Sequence, residues 1–298
     1  MYEGTHNDPA AIKFSKDEAI ERLGWKVVAL LAIICIGCLL RVLWLAGDPV
    51  WIDEAFTAIL SVHPDFWQLV ASDPNPPVYY LVMRGWASVA GISPWALKVP
   101  SLVFSIATLG VFAIAFRRVF SGAAVTALCL LSASSLVLIY YSSEARQYSL
   151  SILLCAVAAV LILHQANRTS LVRHIALFVV SGLLVATHIL TVLPLFGFVV
   201  AALVLSHRHA WSLVLPVGGG AAFSLLVWFF LSNDAGQQAV SWLHLAQYGQ
   251  LTVERLLSTP LTYLFGPGIG ESDLFFKRVG GRPATHWHWF TLAAFSTG

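Results

Sequence analysis

The sequence predicts an all-α polytopic membrane protein, and three observations carry that prediction. Of the 298 residues, 58% are hydrophobic and only 11% are charged, with a mean hydropathy of +0.78; a soluble domain carries roughly 25% charged residues. The apolar residues are gathered into runs suited to crossing roughly 30 Å of hydrocarbon, where a backbone satisfies its own hydrogen bonds by forming helix. The basic residues stand singly or in pairs between those runs, which gives the net charge of +2 no basic face. No nucleic-acid partner is therefore expected. The four cysteines, Cys35, Cys38, Cys129 and Cys155, lie inside the runs and read as apolar packing.

Residues 1–25 include Lys13, Lys16, Asp17, Glu18, Glu21 and Arg22 and read as a cytoplasmic N-terminal tail. They do not form a cleavable signal, because the polar region is long and acidic and no small-residue cleavage site follows. A multi-span membrane domain is expected over 26–231, opening with Lys26 to Ala46 as an uncleaved anchor. Arg41 interrupts this span near its outer end, either snorkelling to headgroups or pairing with a carboxylate or lipid phosphate. Residues 47–76 are too polar to span and form the first external loop. Two amphipathic helices broken by Pro64 are expected there, lying on the membrane through Phe56, Ile59, Leu60, Phe66, Trp67 and Leu69.

Residues 77–91 read as a short, tilted or partly re-entrant helix, since a full crossing would leave Arg117-Arg118 outside. Residues 95–116 then return to the cytoplasm, 123–141 run outward and 149–163 return to a basic loop with His164, Arg168, Arg173 and His174. The 34 residues between Arg173 and Arg208 divide into two short spans that turn near His188–Pro194, and 211–231 go out again. An external loop is expected over 232–285, and Trp287-His288-Trp289-Phe290 opens a further, incomplete segment over 286–298.

This topology collects Asp53, Glu54, Asp73, Glu144, Arg146 and His188 on one face. Asp53-Glu54 is a paired carboxylate, suited either to acid/base work or to capping a helix. Asp73-Pro74-Asn75-Pro76-Pro77 is a turn that opens a helix and holds Asp73 and Asn75 rigidly at its mouth. Tyr140, Glu144 and Tyr148 share one face if a helix runs through them, with Arg146 pointing elsewhere. His188 alone reads as a hydrogen-bonded core histidine; beside carboxylates it reads as a metal ligand or general acid/base.

Four stretches taken together are recognisable: Trp51-Ile52-Asp53-Glu54-Ala55, Asn75-Pro76-Pro77-Val78-Tyr79-Tyr80, Ala96-Leu97-Lys98-Val99-Pro100-Ser101 and Ser143-Glu144-Ala145-Arg146-Gln147-Tyr148. In order and spacing, over roughly 26–210, they resemble the bacterial branch of the membrane glycosyltransferases with the C-type fold. That branch includes protein O-mannosyltransferase-like, aminoarabinose-transferase-like and lipopolysaccharide-sugar-transferase-like enzymes. The resemblance implies a C-type membrane domain with an amphipathic first external loop, in the bacterial inner membrane with its site on the periplasmic face. It implies transfer of a sugar from a polyprenyl-phosphate donor to a hydroxyl of a glycan, lipid or protein acceptor, with Asp53 as the general base and Glu54 beside it.

The residue types suit that reaction. The acceptor hydroxyl must lose a proton, which a carboxylate can take. The departing lipid phosphate needs positive charge or hydrogen bonds more than a proton, for which Arg146, Tyr148 and Arg41 or Arg84 are candidates. Asp73, Asn75 and Tyr80 complete the donor-binding set that the resemblance implies. A divalent metal (Mg, Mn or Zn) bridging phosphate and carboxylate is an alternative, with Glu144 and His188 as its ligands. Many relatives carry His or Lys where this chain has Asn75, so a cationic phosphate contact is missing there or supplied elsewhere. Two other functions stand beside this one. A lipid-linked-sugar transporter or flippase would favour charges at the bilayer midplane and internal repeats, whereas here the polar clusters sit at span ends. An inactive fragment of a glycosyltransferase is the third, because the relatives are longer.

Overall fold

The computed structural model describes residues 16–47, 50–167, 170–205 and 210–232. The expected loop over 232–285 beyond Ser232, the segment 286–298 and the start of the N-terminal tail lie outside the described residues. The elements are α1 Lys16–Gly47, α2 Ile52–Val62, α3 Phe66–Ala71, α4 Val78–Ala90, α5 Pro94–Ile114, α6 Gly122–Ser134 and α7 Leu136–Ser142. They continue as α8 Tyr148–Asn167, α9 Leu171–Thr187, α10 Val192–Leu205 and α11 Ala210–Leu231, with short 3-10 turns at Phe116–Arg118 and Ile189–Thr191. No strand occurs among the described residues.

The chain is thus mostly helical, with several apolar helices able to cross a membrane. Lys26–Leu45, Pro94–Arg118 and Trp211–Leu231 are long enough alone, and Gly122–Ser134 with Leu136–Ser142 makes a fourth if that bent pair is one span. Tyr148–Leu163, Leu171–Thr187 and Ile189–Ala201 are apolar but shorter. The short helix expected over 77–91 and the turn near His188 are both present. Helix α1 runs unbroken from Lys16, and its apolar part begins at Lys26.

Local chemistry explains the ends and breaks. Ser93 caps α5 by accepting from the Ala96 amide at 3.3 Å, with Pro94 in the first turn, where its missing N–H costs nothing. Pro100 inside α5 cannot donate to the Ala96 carbonyl; Trp86 Nε1 donates to it instead at 2.7 Å. The span expected over 123–141 is built as two helices bent by 60°. Ser135 starts the second by accepting from the Leu138 amide at 3.4 Å.

That break frees carbonyls at the end of α6, a costly state in lipid unless something donates to them. Arg41 does so. Its Nη2 donates to Ser132 O at 3.0 Å and its Nη1 to Gly37 O at 2.9 Å and Ala133 O at 3.4 Å, while Nε donates to Ser105 Oγ at 2.8 Å. Gly37 allows this approach, since a Cβ there would lie 2.8 Å from that of Ala133. Arg41 is buried to 1% exposure, so it does not snorkel, and among the described residues it bonds to these carbonyls and Ser105 rather than to a carboxylate.

Three buried clusters hold the helices together. One joins α2, α3, α4 and α5 with Ala145, Leu150 and Trp228; a second joins α8, α9, α10 and α11; the third joins the end of α5 to α6. Between α9 and α11 the backbones meet at Gly182 and Gly220, where a Cβ on Gly220 would overlap the Phe178 carbonyl. Small residues permit such close packing where lipid supplies no hydrophobic drive.

Helix α2 is amphipathic with its polar side turned inward. Glu54, Thr57 and Ser61 are buried, while Ile52, Phe56, Ile59 and Val62 are exposed, as is Trp67 on α3. Leu60 and Phe66, expected on the membrane surface, are core residues instead.

Candidate functional site

Five consecutive residues, Ser143 to Gln147, link α7 to α8 and are all buried. The Ser143 hydroxyl donates back to Tyr140 O at 2.9 Å as α7 ends, competing with the helix's own bonding. The helical stripe Tyr140–Glu144–Tyr148 is therefore corrected: the helix stops before Glu144 and a new one starts at Tyr148. Arg146 lies in this break with its guanidinium facing Asp53 on α2.

The two adjacent carboxylates are separated in role by where the first turn of α2 points them. Glu54 is fully buried. Its Oε2 accepts from the Trp51 amide at 3.1 Å, one half of a capping box, and its Oε1 accepts from the Ala145 amide at 2.6 Å. The Lys98 ammonium, 2% exposed on α5, stands 3.7 Å from Oε2. Capping thus falls to Glu54. Asp53 remains accessible, its side chain 43% exposed, with Oδ2 facing Arg146 Nη2 at 3.9 Å. That ion pair is too long for a hydrogen bond, which leaves the carboxylate oxygens open to a third group.

The Pro-rich turn is tied into the same site. Asp73 Oδ1 accepts from the Asn75 amide at 2.7 Å, from Asn75 Nδ2 at 2.9 Å and from the Tyr80 hydroxyl at 3.1 Å. Asn75 Oδ1 in turn accepts from Gln147 Nε2 at 2.9 Å. An unbroken chain of polar contacts therefore runs from Tyr80 to the buried 143–147 loop. On the other side Tyr148 packs on Tyr141 with ring centroids 4.6 Å apart, and on His188 at 6.0 Å.

Electrostatics sets the protonation states. Burial opposes the charge on Arg146, but the Tyr80 and Tyr148 phenols and the Asp53 and Asp73 carboxylates outweigh it and raise its value above the usual arginine range. Burial first, and the Arg146 charge second, lower the His188 imidazole. The Leu190 amide donates to His188 Nδ1 at 3.2 Å, so the neutral ring carries its proton on Nε2. A fixed cation, an accessible carboxylate and a neutral histidine donor thus face one region.

The structure brings Asp53, Glu54, Asp73, Asn75, Tyr80, Arg146, Tyr148 and His188 into one connected set. Glu144 is buried in the same loop. Arg41 is absent from this set, because its guanidinium is spent on the α6 break. Arg84 is also committed elsewhere: Nη1 donates to His63 O at 2.8 Å and the guanidinium lies 4.8 Å from the Phe66 ring centre. Among the described residues no three His, Cys, Asp or Glu side chains are grouped as metal ligands, so Glu144 and His188 gain no third partner of that type. Sequence reasoning missed two members. Lys98 had a usable signal, a cation inside an otherwise apolar span. Gln147, uncharged and beside Arg146, had only its place in the recognisable stretch Ser143 to Tyr148. No family model, curated protein or solved structure matches the chain.

Proposed function

We propose that the chain is a membrane glycosyltransferase of the C-type fold, moving a sugar from a polyprenyl-phosphate donor to an acceptor hydroxyl at the periplasmic face of the bacterial inner membrane. One observation carries the reading: the half-exposed Asp53 carboxylate stands opposite Arg146, a guanidinium nine-tenths buried. Glycosyl transfer from a lipid phosphate needs a base for the acceptor and a cation for the departing phosphate, close together but not neutralising each other in a tight bidentate pair.

In this account Arg146 receives the donor phosphate, and the Tyr148 hydroxyl and His188 Nε2–H donate to its remaining oxygens. Asp53 accepts the proton of the attacking hydroxyl as the new glycosidic bond forms and the bond to phosphate breaks. Tyr80, Asp73, Asn75 and Gln147 hold the two loops in register around the reacting groups. Arg146 supplies the cation that relatives place at the position of Asn75. The outward apolar side of α2 suits an interfacial helix, which would present Asp53 at the depth of a lipid-borne phosphate.

The test is reconstitution into vesicles with a labelled polyprenyl-phosphate sugar and a crude envelope acceptor fraction. Acceptor-bound label that disappears with Arg146→Met supports transfer. Label that crosses the bilayer on its original lipid, without reaching an acceptor, would identify a flippase and overturn the proposal.

A further inference from the structure

The cation that sequence reasoning missed is buried beside a carboxylate that also grips the functional loop. Lys98 is 2% exposed and Glu54 fully buried, and they approach to 3.7 Å. Glu54 accepts from the amide of Ala145, the residue before Arg146, and from the amide of Trp51, two residues before Asp53. One carboxylate therefore touches the backbone on both sides of the Asp53–Arg146 pair, and α5 supplies its counter-charge.

We infer that Lys98 is a positioning residue, its ammonium acting through Glu54 to hold the 143–147 loop where Arg146 faces Asp53. Removing one member of a buried ion pair leaves an uncompensated charge in low dielectric. Glu54 then relieves that charge by turning toward water, which means releasing the Ala145 amide. A charge-assisted bond of 2.6 Å is lost in the process, and the loop carrying Arg146 loses its fixed point on α2. The roles given to Asp53 and Arg146 rest on the glycosyltransferase reading, but this geometric coupling does not.

The experiment reads geometry and activity separately. In a chain with the four native cysteines replaced by alanine, Asp53→Cys with Arg146→Cys is cross-linked by a short bis-methanethiosulfonate. The cross-link should form readily with Lys98 present, fall severalfold with Lys98→Met and recover with Lys98→Arg. Lys98→Gln, neutral but able to donate, should fall like Lys98→Met and serves if that variant does not fold. Unchanged cross-linking in folded Lys98→Met or Lys98→Gln protein would overturn the inference. In the native background the same Lys98 variants are assayed for sugar transfer, where kcat/KM for the donor should fall with Lys98→Met and recover with Lys98→Arg. A cross-link that responds to Lys98 in a protein that transfers no sugar would uphold the coupling and reject the glycosyltransferase reading.

Discussion

Two neighbouring carboxylates, identical in charge and one residue apart, end up with different tasks because a helical turn rotates them about 100° from each other. Glu54 points inward to amides and Lys98, while Asp53 points to the rim and Arg146. The sequence showed the pair but left capping and catalysis equally open, since Asp and Glu serve both in a first turn. Substitution separates them. Glu54→Gln keeps an oxygen for the Ala145 amide but leaves Lys98 without its carboxylate, so it should lower thermal stability in detergent by roughly 3 kcal/mol, the scale for halving a buried ion pair. A melting temperature equal to that of the native chain would contradict this. His188 gives a pH-dependent counterpart. Its folded value is depressed below the ordinary 6.5, so the unfolded chain binds its proton first as pH falls. The stability it contributes is complete above that value and declines as pH drops from about 6.5 toward the folded value. His188→Gln should flatten that part of a melting-temperature profile, and an unaltered slope would remove His188 as its source.

At the scale of elements, apolar runs were legible and their interruptions were not. The sequence placed α1, α5 and the α9–α10 turn because run length and flanking charge are local properties. It missed the 60° break between α6 and α7, because Ser132-Ala133-Ser134-Ser135 is tolerated in a lipid helix. The group that makes the break affordable, Arg41, is about ninety residues away in sequence. The same blindness extended the helix through Glu144. Arg41→Met should leave the Ser132 and Ala133 carbonyls without their donor, losing hydrogen bonds to a charged group worth about 1.5–3 kcal/mol each. The expected result is a fall of several degrees in melting temperature, with the apolar side chain itself well tolerated in the membrane. An unchanged melting temperature would mean that the break closes without Arg41. Gly220→Leu tests α9 against α11: the added side chain collides with the Phe178 carbonyl, so folded yield should collapse. A normal yield would show that the two backbones can move apart freely.

For the whole molecule, the convergence of the polar span ends was the most legible feature. It followed from which apolar runs face which charged flanks, and of the six residues expected together the structure links Asp53, Glu54, Asp73, Arg146 and His188 around the 143–147 loop, in which Glu144 is buried. What the sequence could not supply was the wiring between them, such as Lys98 to Glu54 or Gln147 to Asn75, since a pairwise contact across a fold leaves no periodic trace. Sidedness remains a property of the chain in its membrane and is directly measurable. Asp65→Cys, exposed between α2 and α3, should react with an impermeant thiol reagent added outside intact cells. Arg118→Cys, exposed at the opposite end of α5, should react only after permeabilisation. The reverse pattern would put the site on the cytoplasmic face.

The most direct test of the central claim is sugar transfer from a labelled polyprenyl-phosphate pool by the native chain and by Asp53→Asn, at matched folded levels. The substitution keeps size and polarity but removes the proton acceptor, so the account predicts a loss of at least about a hundredfold, the scale of general-base catalysis. Transfer by Asp53→Asn within about twofold of the native chain would contradict it, since a base cannot contribute so little to the step it enables.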